Sequence, residues 1–190
     1  MVEVVRSERF SVCVYCSSSG SVDAGHFGVA EAMGRAIAER GWTLVWGGGR
    51  VGLMGAVADA ARAGGASVVG VIPESMTSVE LAYREADELV VTADMRSRKQ
   101  VMDERSDAFV VLPGGFGTLE ELSEMMVQRI LGYTDRPIVL VNPDGFYDPL
   151  LRLFDHFVER RFAKRKYLEM LTVVGSVEEA VGVLAGAGGE

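Results

Sequence analysis

Residues 112–121 hold most of the chemistry available to this sequence, because a glycine-rich turn there leads into two carboxylates, Glu120 and Glu121. The apolar run 108–112 before the turn predicts a buried strand. Glycines after a strand let main-chain N–H groups close on an anion, and a helix beginning at Thr118 would add unpaired N–H groups and a partial positive charge. A phosphate therefore fits this turn. Two acids beside a phosphate indicate a site that also performs chemistry next to it.

Two roles are open for Glu121 from the residues alone. Thr118 and Glu121 have the spacing of a capping box, with Thr118 as the N-cap and Glu121 as the third helical residue. Acids in a first helical turn stabilise the helix whatever the function, and they stay ionised there. The other role is that of a functional carboxylate. The turn lacks the lysine of a Walker loop, which disfavours ATP hydrolysis of that type.

A basic pair, Arg98 and Lys99, opens another predicted helix directly after a strand that ends near Thr92. Spacing alone also allows a solvated charged face. In the functional interpretation, the pair supplies positive charge at the sheet edge, where arginine can hold a phosphate through two parallel hydrogen bonds. A basic cluster at a crevice rim lets an acidic protein attract an anion.

Apolar runs alternate with helical stretches along the whole chain, which predicts an α/β, doubly wound, Rossmann-like parallel sheet of about seven strands with helices on both faces. A single nucleotide-binding domain is expected over residues 1–190, with residues 1–9 and 185–190 frayed. The predicted strands are 11–16, 43–46, 67–72, 88–92, 108–112, 137–141 and 171–174. The predicted helices are 24–40, 53–63, 95–106, 118–131, 147–162 and 177–184.

Three turns rich in glycine or serine follow strands, at residues 16–20, 47–52 and 113–118. The carboxyl ends of parallel strands share one sheet edge, so the three turns predict one ligand crevice, lined in part by Ser17, Gly48 and Gly49. Residues 47–52 match G-x-G-x-x-G but follow the second strand, which disfavours nicotinamide binding. A mononucleotide crevice and a merely tight turn remain the alternatives.

Composition narrows the function classes. A net charge of −8 and a pI near 4.9 argue against nucleic-acid binding. No apolar run could span a bilayer and the first residues do not fit a signal peptide, so we expect a cytoplasmic protein. Cys13 and Cys16 form a C-x-x-C that begins inside a strand, which favours one buried cysteine and one cysteine at the strand end over a redox motif. His26 and His156 are too far apart in sequence to suggest a zinc site.

Residues 113–121 have the pattern P-G-G-x-G-T-x-x-E, and with it the chain resembles the Lonely Guy proteins, the cytokinin riboside 5′-monophosphate phosphoribohydrolases. Matching pieces occur in the same order at 16–18, 47–55, 70–73 and 94–99, and the resemblance runs from about Ser11 to Asn142 and more weakly beyond. An older label for such chains is lysine decarboxylase-like. That chemistry normally needs pyridoxal phosphate on a lysine in a larger cofactor domain, which nothing in this sequence marks.

The resemblance implies cleavage of the N-glycosidic bond of an N6-substituted AMP, releasing the free base and ribose 5-phosphate, without a metal or other cofactor. It implies that Arg98 and Glu121 are catalytic and that the protein is a homodimer. Arg96 departs from the family pattern, which has histidine there. The residues that it implies bind substrate are Glu80, Arg98, Lys99, Gly114, Gly115, Phe116, Gly117, Thr118, Leu119 and Glu120.

Cleavage of a ribosyl bond passes through a transition state with positive charge on the sugar. An ionised Glu121 is therefore expected to hold the ribose and stabilise that charge. The alternative role is that Glu121 takes a proton from the attacking water. Two alternatives stay open: a general AMP or purine nucleotide nucleosidase, and a non-catalytic carrier of a nucleotide-like cofactor such as molybdenum cofactor.

Overall fold

The computed structural model describes residues 9–77 and 82–188, so Glu80 lies outside the described residues. Seven strands form one sheet in the order β4-β3-β2-β1-β5-β6-β7, and every neighbouring pair is parallel, which confirms the predicted fold class. The strands are β1 (Ser11–Tyr15), β2 (Thr43–Trp46), β3 (Ser67–Pro73), β4 (Glu88–Thr92), β5 (Ala108–Val111), β6 (Ile138–Val141) and β7 (Leu171–Val174).

Helices connect the strands and cover both faces of the sheet. They are α1 (Ala24–Glu39), α2 (Gly52–Ala63), α3 (Glu74–Thr77), α4 (Met95–Glu104), α5 (Phe116–Leu131), α6 (Asp148–Glu159), α7 (Arg165–Leu168) and α8 (Val177–Gly186). The sequence did not predict α3, α7 or a 3-10 turn at Pro143–Gly145, all too short for a clear hydrophobic period. Within the described ranges, no helix is both long and apolar enough to cross a membrane.

The core has two layers, one on each side of the sheet. Side chains alternate along β1, so Val12 and Val14 pack in the layer under α1, α2 and α8, and Cys13 and Tyr15 pack in the layer under α4, α5 and α6. Burial on both faces explains why the strands are continuous apolar runs. Cys13 and Cys16 are both buried and free, which confirms the structural interpretation of the C-x-x-C pattern.

The direction of winding reverses at β1. The chain runs outward through β2, β3 and β4 and then returns to place β5 on the other side of β1, with Tyr15 in register with Val111. Ligands of open α/β sheets bind at such a switch point, beyond the carboxyl ends of the strands. The turns after β1, β2 and β5 are therefore brought to one place.

Candidate active site

Helix α5 begins at Phe116, two residues earlier than predicted, and its N-cap is Gly115 without a side-chain cap. The predicted capping box of Thr118 and Glu121 is therefore wrong. The local reason is Gly114, where a Cβ atom would lie 2.1 Å from Thr118 Oγ1. Because Gly114 has no side chain, the buried Thr118 folds back against the turn instead of capping the helix from outside it.

The early start of α5 changes the position of its acids. Glu120 and Glu121 lie in the second turn, and the first turn carries no acidic residue. The first N–H groups of a helix have no partner within the helix, and the helix dipole places partial positive charge there. The N-terminus of α5 is thus open to a phosphate, with the carboxylates one turn further along.

A cavity of about 490 Å³ lies at the switch point, and it brings the serine turn, the glycine turn and the start of α5 together. Nine of the predicted site residues line it: Ser17, Gly49, Arg98, Gly115, Phe116, Gly117, Thr118, Glu120 and Glu121. Cys16, Ser18, Ser19, Gly47, Val51, Met54, Ile72, Met76 and Met95 complete the lining.

Four of the predicted site residues that the structure describes do not line the cavity. Gly48 has a φ of +68°, and its carbonyl accepts a hydrogen bond of 2.8 Å from the Tyr83 amide. Leu119 donates its amide to the Gly115 carbonyl at 2.9 Å, and Gly114 packs on Thr118. The fourth is Lys99, whose ammonium is bound by acids of α5. Gly48 and Gly114 shape the turns in which they lie, and direct contact of any of the four residues with substrate remains a prediction.

Arg98 is buried and rigidly held. Its Nε atom donates to the Val71 carbonyl at 3.0 Å and its Nη2 atom donates to the Gly47 carbonyl at 3.1 Å. Asp94 fixes the start of helix α4, and with it the position of Arg98. It is the N-cap and accepts hydrogen bonds from the amides of Arg96 and Ser97. The guanidinium is therefore fixed before any substrate arrives, with Nη1 left near the cavity carboxylate.

Gly47 makes room for that guanidinium, since a Cβ atom there would lie 1.6 Å from Arg98 Nη2. Gly47→Ala is therefore expected to displace Arg98 and lower turnover at least about tenfold, because misplaced catalytic groups lose rate steeply. Steady-state kinetics checks this. The matched control is Gly20→Ala, whose methyl group would meet nothing within 4 Å. Equal rates in the two variants would contradict the role given to Gly47.

Glu121 lies beside Arg98, with 3.9 Å between Glu121 Oε1 and Arg98 Nη1, and only 11% of its side chain is exposed. Burial raises the pKa of Glu121 to about 7, although Arg98 opposes the shift and the charge of Glu120 adds to it. The expectation that Glu121 is an ordinary ionised first-turn acid is thus wrong. A carboxyl that titrates near neutral pH in a cleft fits a catalytic group.

Lys99 connects α4 to α5 by bonding to Glu120 Oε1 and, at 2.7 Å, to Glu124 Oε2. Partial burial acts to lower the pKa of Lys99, but the two hydrogen bonds outweigh it and the pKa is raised. A lysine that forms a Schiff base must lose its proton, so this environment opposes that chemistry. The other lysines of the sequence are Lys164 and Lys166, and neither lines the cavity.

Part of the cavity lining is apolar, a feature that the sequence did not predict. Met54, Met76 and Met95, together called the methionine wall, line the cavity with Ile72 and with Phe116, which is 93% exposed. Methionine adapts to irregular apolar shapes and contacts aromatic rings favourably. This wall suits a planar base that carries an apolar substituent. The available signal was the position of each methionine within the first three residues of a helix that follows a strand.

Comparison with known proteins places the chain in a family. The family model described as "Possible lysine decarboxylase" matches residues 54–184. A Mycobacterium tuberculosis protein named cytokinin riboside 5′-monophosphate phosphoribohydrolase is 48% identical over 172 residues, which cover 90% of this chain and 91% of the relative. The chain belongs to this phosphoribohydrolase family. An Arabidopsis thaliana relative of the same name is 39% identical over 180 residues, covering 94% of this chain and 84% of that protein.

Solved structures resemble the phosphoribohydrolase fold at low sequence identity. The molybdenum cofactor binding protein of Rippkaea orientalis has a TM-score of 0.73 at 19% identity, covering 95% of this chain and 98% of its own. The molybdenum cofactor carrier protein of Chlamydomonas reinhardtii has a TM-score of 0.70 at 19% identity, covering 94% and 97%. At this distance the likeness shows the fold alone.

Proposed function

We propose that the protein hydrolyses the N-glycosidic bond of cytokinin riboside 5′-monophosphates, releasing an N6-substituted adenine and ribose 5-phosphate. The observation that carries this proposal is the buried pair of Arg98 and Glu121, 3.9 Å apart, one helical turn from the open N-terminus of α5. The names of relatives with up to 48% identity support the same reaction.

The 5′-phosphate belongs at the N-terminus of α5. The amides of Phe116, Gly117 and Thr118 are the first three of the helix, and the helix dipole favours an anion there. The serine turn, with Ser17 and Ser18, lines the same cavity, and the Ser17 amide donates to the Pro113 carbonyl beside the start of α5. Binding energy from the phosphate then positions the ribose, which does not itself touch these groups.

Glu121 acts on the ribose. As the bond between C1′ and the base nitrogen breaks, positive charge develops on the sugar, and the ionised carboxylate stabilises it. Water then adds its oxygen to C1′ and loses a proton, while the departing base gains one. Arg98 Nη1 lies next to this carboxylate and donates a hydrogen bond to the departing base or to the phosphate, since Nε and Nη2 already donate to main-chain carbonyls.

The rate should depend on pH through Glu121. Because its ionised form is the active one in this mechanism and its pKa in the free protein is about 7, kcat/KM is expected to rise with pH, reach half of its maximum near pH 7, and level off above about pH 8. A kcat/KM profile from pH 5 to 9 measures this. A rate that falls as pH rises through 7 would instead assign Glu121 the role of proton donor.

The function itself is tested by incubating the protein with N6-isopentenyladenosine monophosphate or with AMP and separating the products by chromatography. We expect free isopentenyladenine and ribose 5-phosphate, with the prenylated substrate preferred because of the methionine wall. Equal rates on both substrates would favour a general AMP nucleosidase. Binding without any release of base would favour a carrier and contradict the proposal.

We further propose that the active form is a cytoplasmic homodimer. Val127, Leu131 and Tyr133, on α5 and directly after it, are 51%, 60% and 77% exposed. Helix α6 is amphipathic, yet it contains no fully buried residue. A second copy covering these apolar side chains would bury them. Light scattering after gel filtration should give twice the mass of the chain, and a monomer at micromolar concentration would contradict this.

A further inference from the structure

Tyr147 lies outside the cavity lining but touches the turn on which the site is built. The residue precedes α6, is 5% exposed, and its hydroxyl donates a hydrogen bond of 2.7 Å to the Leu112 carbonyl. Leu112 is the residue between β5 and the Pro113–Gly114 turn. A side chain from the segment between β6 and α6 thus contacts the peptide group at which the glycine-rich turn begins.

The Leu112 carbonyl needs such a partner. Leu112 is fully buried, and its amide is already used in a bond of 2.9 Å to the Tyr15 carbonyl. The next carbonyl, that of Pro113, accepts from the Ser17 amide at 3.2 Å. A buried carbonyl that loses its donor is costly, so the peptide orientation depends on the hydroxyl. That orientation sets the direction in which the chain enters α5.

Tyr147 is itself held in place from β6. The Asn142 side-chain oxygen accepts from the Tyr147 amide at 2.6 Å, and the Asn142 side-chain nitrogen donates to Asp148 at 2.9 Å. The Asn142 amide donates to the Val174 carbonyl at 2.8 Å, which ties it to β7. The hydroxyl is therefore delivered by a fixed support and not by a mobile side chain.

The hydroxyl is a permanent donor. Burial raises the pKa of Tyr147 well above its usual range, and a main-chain hydrogen bond with Gly114 only partly opposes the shift. The contact with Leu112 is therefore unaffected by pH over the working range of an enzyme.

We propose that Tyr147 is a positioning residue that fixes the Pro113–Gly114 turn through the Leu112 carbonyl and so aims the first amides of α5 at the phosphate of the substrate. The inference rests on the proposed phosphate site. Tyr147 touches no reacting atom in this account.

The test is the affinity for ribose 5-phosphate, measured by calorimetry with the full-length wild-type protein and Tyr147→Phe. The variant should bind at least about fivefold more weakly, the scale of one hydrogen bond. The matched control is Tyr83→Phe, which removes a hydroxyl that donates at 2.7 Å to Asp59 on α2, outside the cavity lining. Thermal melting of both variants separates lost stability from lost affinity.

A selective loss of affinity in Tyr147→Phe, with Tyr83→Phe unchanged, supports the inference. Equal affinity in Tyr147→Phe and the wild type overturns it, even if the melting temperature falls. Should Tyr147→Phe not fold, Asn142→Ala releases the same support from its other end, and unchanged affinity in that variant also overturns it. A wild type that binds ribose 5-phosphate but releases no base removes the proposed function, while the comparison of affinities still judges Tyr147.

Discussion

Glu121→Gln is expected to lower kcat at least about 100-fold with the fold intact, because it removes the negative charge of the carboxylate that stabilises the sugar cation. Steady-state release of isopentenyladenine measures the loss. The rise of kcat/KM through pH 7 should also vanish, since it belongs to this carboxyl. Any dependence near pH 6 that remains in the variant reports the phosphate of the substrate.

The same substitution should stabilise the protein at alkaline pH. An unfolded glutamate loses its proton near 4.5, whereas folded Glu121 keeps its proton until about pH 7. Between these values the folded state binds more protons, so the free energy of unfolding falls as pH rises and stays low above pH 7. The deficit is about 3 kcal/mol. Glutamine avoids it, so Glu121→Gln should melt higher than the wild type at pH 8 and not below about pH 4.5.

Glu124→Gln is the matched control, because it makes the same change one turn along α5 at a position that is 40% exposed and outside the cavity lining. It should leave kcat near that of the wild type and move the pH profile only slightly, to lower pH, because the charge of Glu124 makes a minor contribution to the raised pKa of Glu121. A normal rate in Glu121→Gln would contradict the catalytic role. Lower stability of Glu121→Gln than of the wild type at pH 8, without a specific loss of rate, would contradict the raised pKa that burial gives to Glu121.

Arg98→Ala is the second substitution with a large expected effect, again at least about 100-fold in turnover. The guanidinium lies against Glu121 and is fixed by the carbonyls of Val71 and Gly47. Its removal also takes away the positive charge that opposes the raised pKa of Glu121, so the remaining activity should titrate at higher pH. Kinetics between pH 6 and 9 measures both effects.

Arg105→Ala separates this role from mere burial of an arginine. Arg105 is also buried, follows α4, and makes paired bonds of 2.9 and 2.8 Å to Glu88, away from the cavity. Its loss should lower the melting temperature and leave kcat close to the wild-type value. If Arg105→Ala and Arg98→Ala lose activity to the same extent, the loss comes from destabilisation and the assignment of Arg98 fails.

The sheet could be predicted from the sequence because strands buried on both faces are continuous apolar runs. Ile138–Val141, for example, differs from the predicted segment by one residue at its start. The meeting of three turns followed from the fold class alone, since parallel strands end on one edge. The pairing of Arg98 with Glu121 came from the family resemblance, and the structure brings the two side chains together.

The details of the site depend on contacts between distant residues, which a local pattern does not contain. Threonine is a residue type that favours the N-cap position, but Thr118 packs on Gly114 and α5 begins at Phe116 instead. The pKa of Glu121 follows from burial between α4 and α5. Lys99 is implied to bind substrate by the family resemblance alone, and no local pattern in the sequence predicts that its ammonium bonds to the acids of α5. Neighbours on a helix point in different directions.

The decisive measurement is a crystal structure of Glu121→Gln with AMP bound, since the inactive variant should retain the intact nucleotide. We expect the phosphate against the amides of Phe116, Gly117 and Thr118, with the ribose beside the side chain at position 121 and the base on the methionine wall. A nucleotide bound elsewhere, or one whose base occupies the N-terminus of α5, would contradict it.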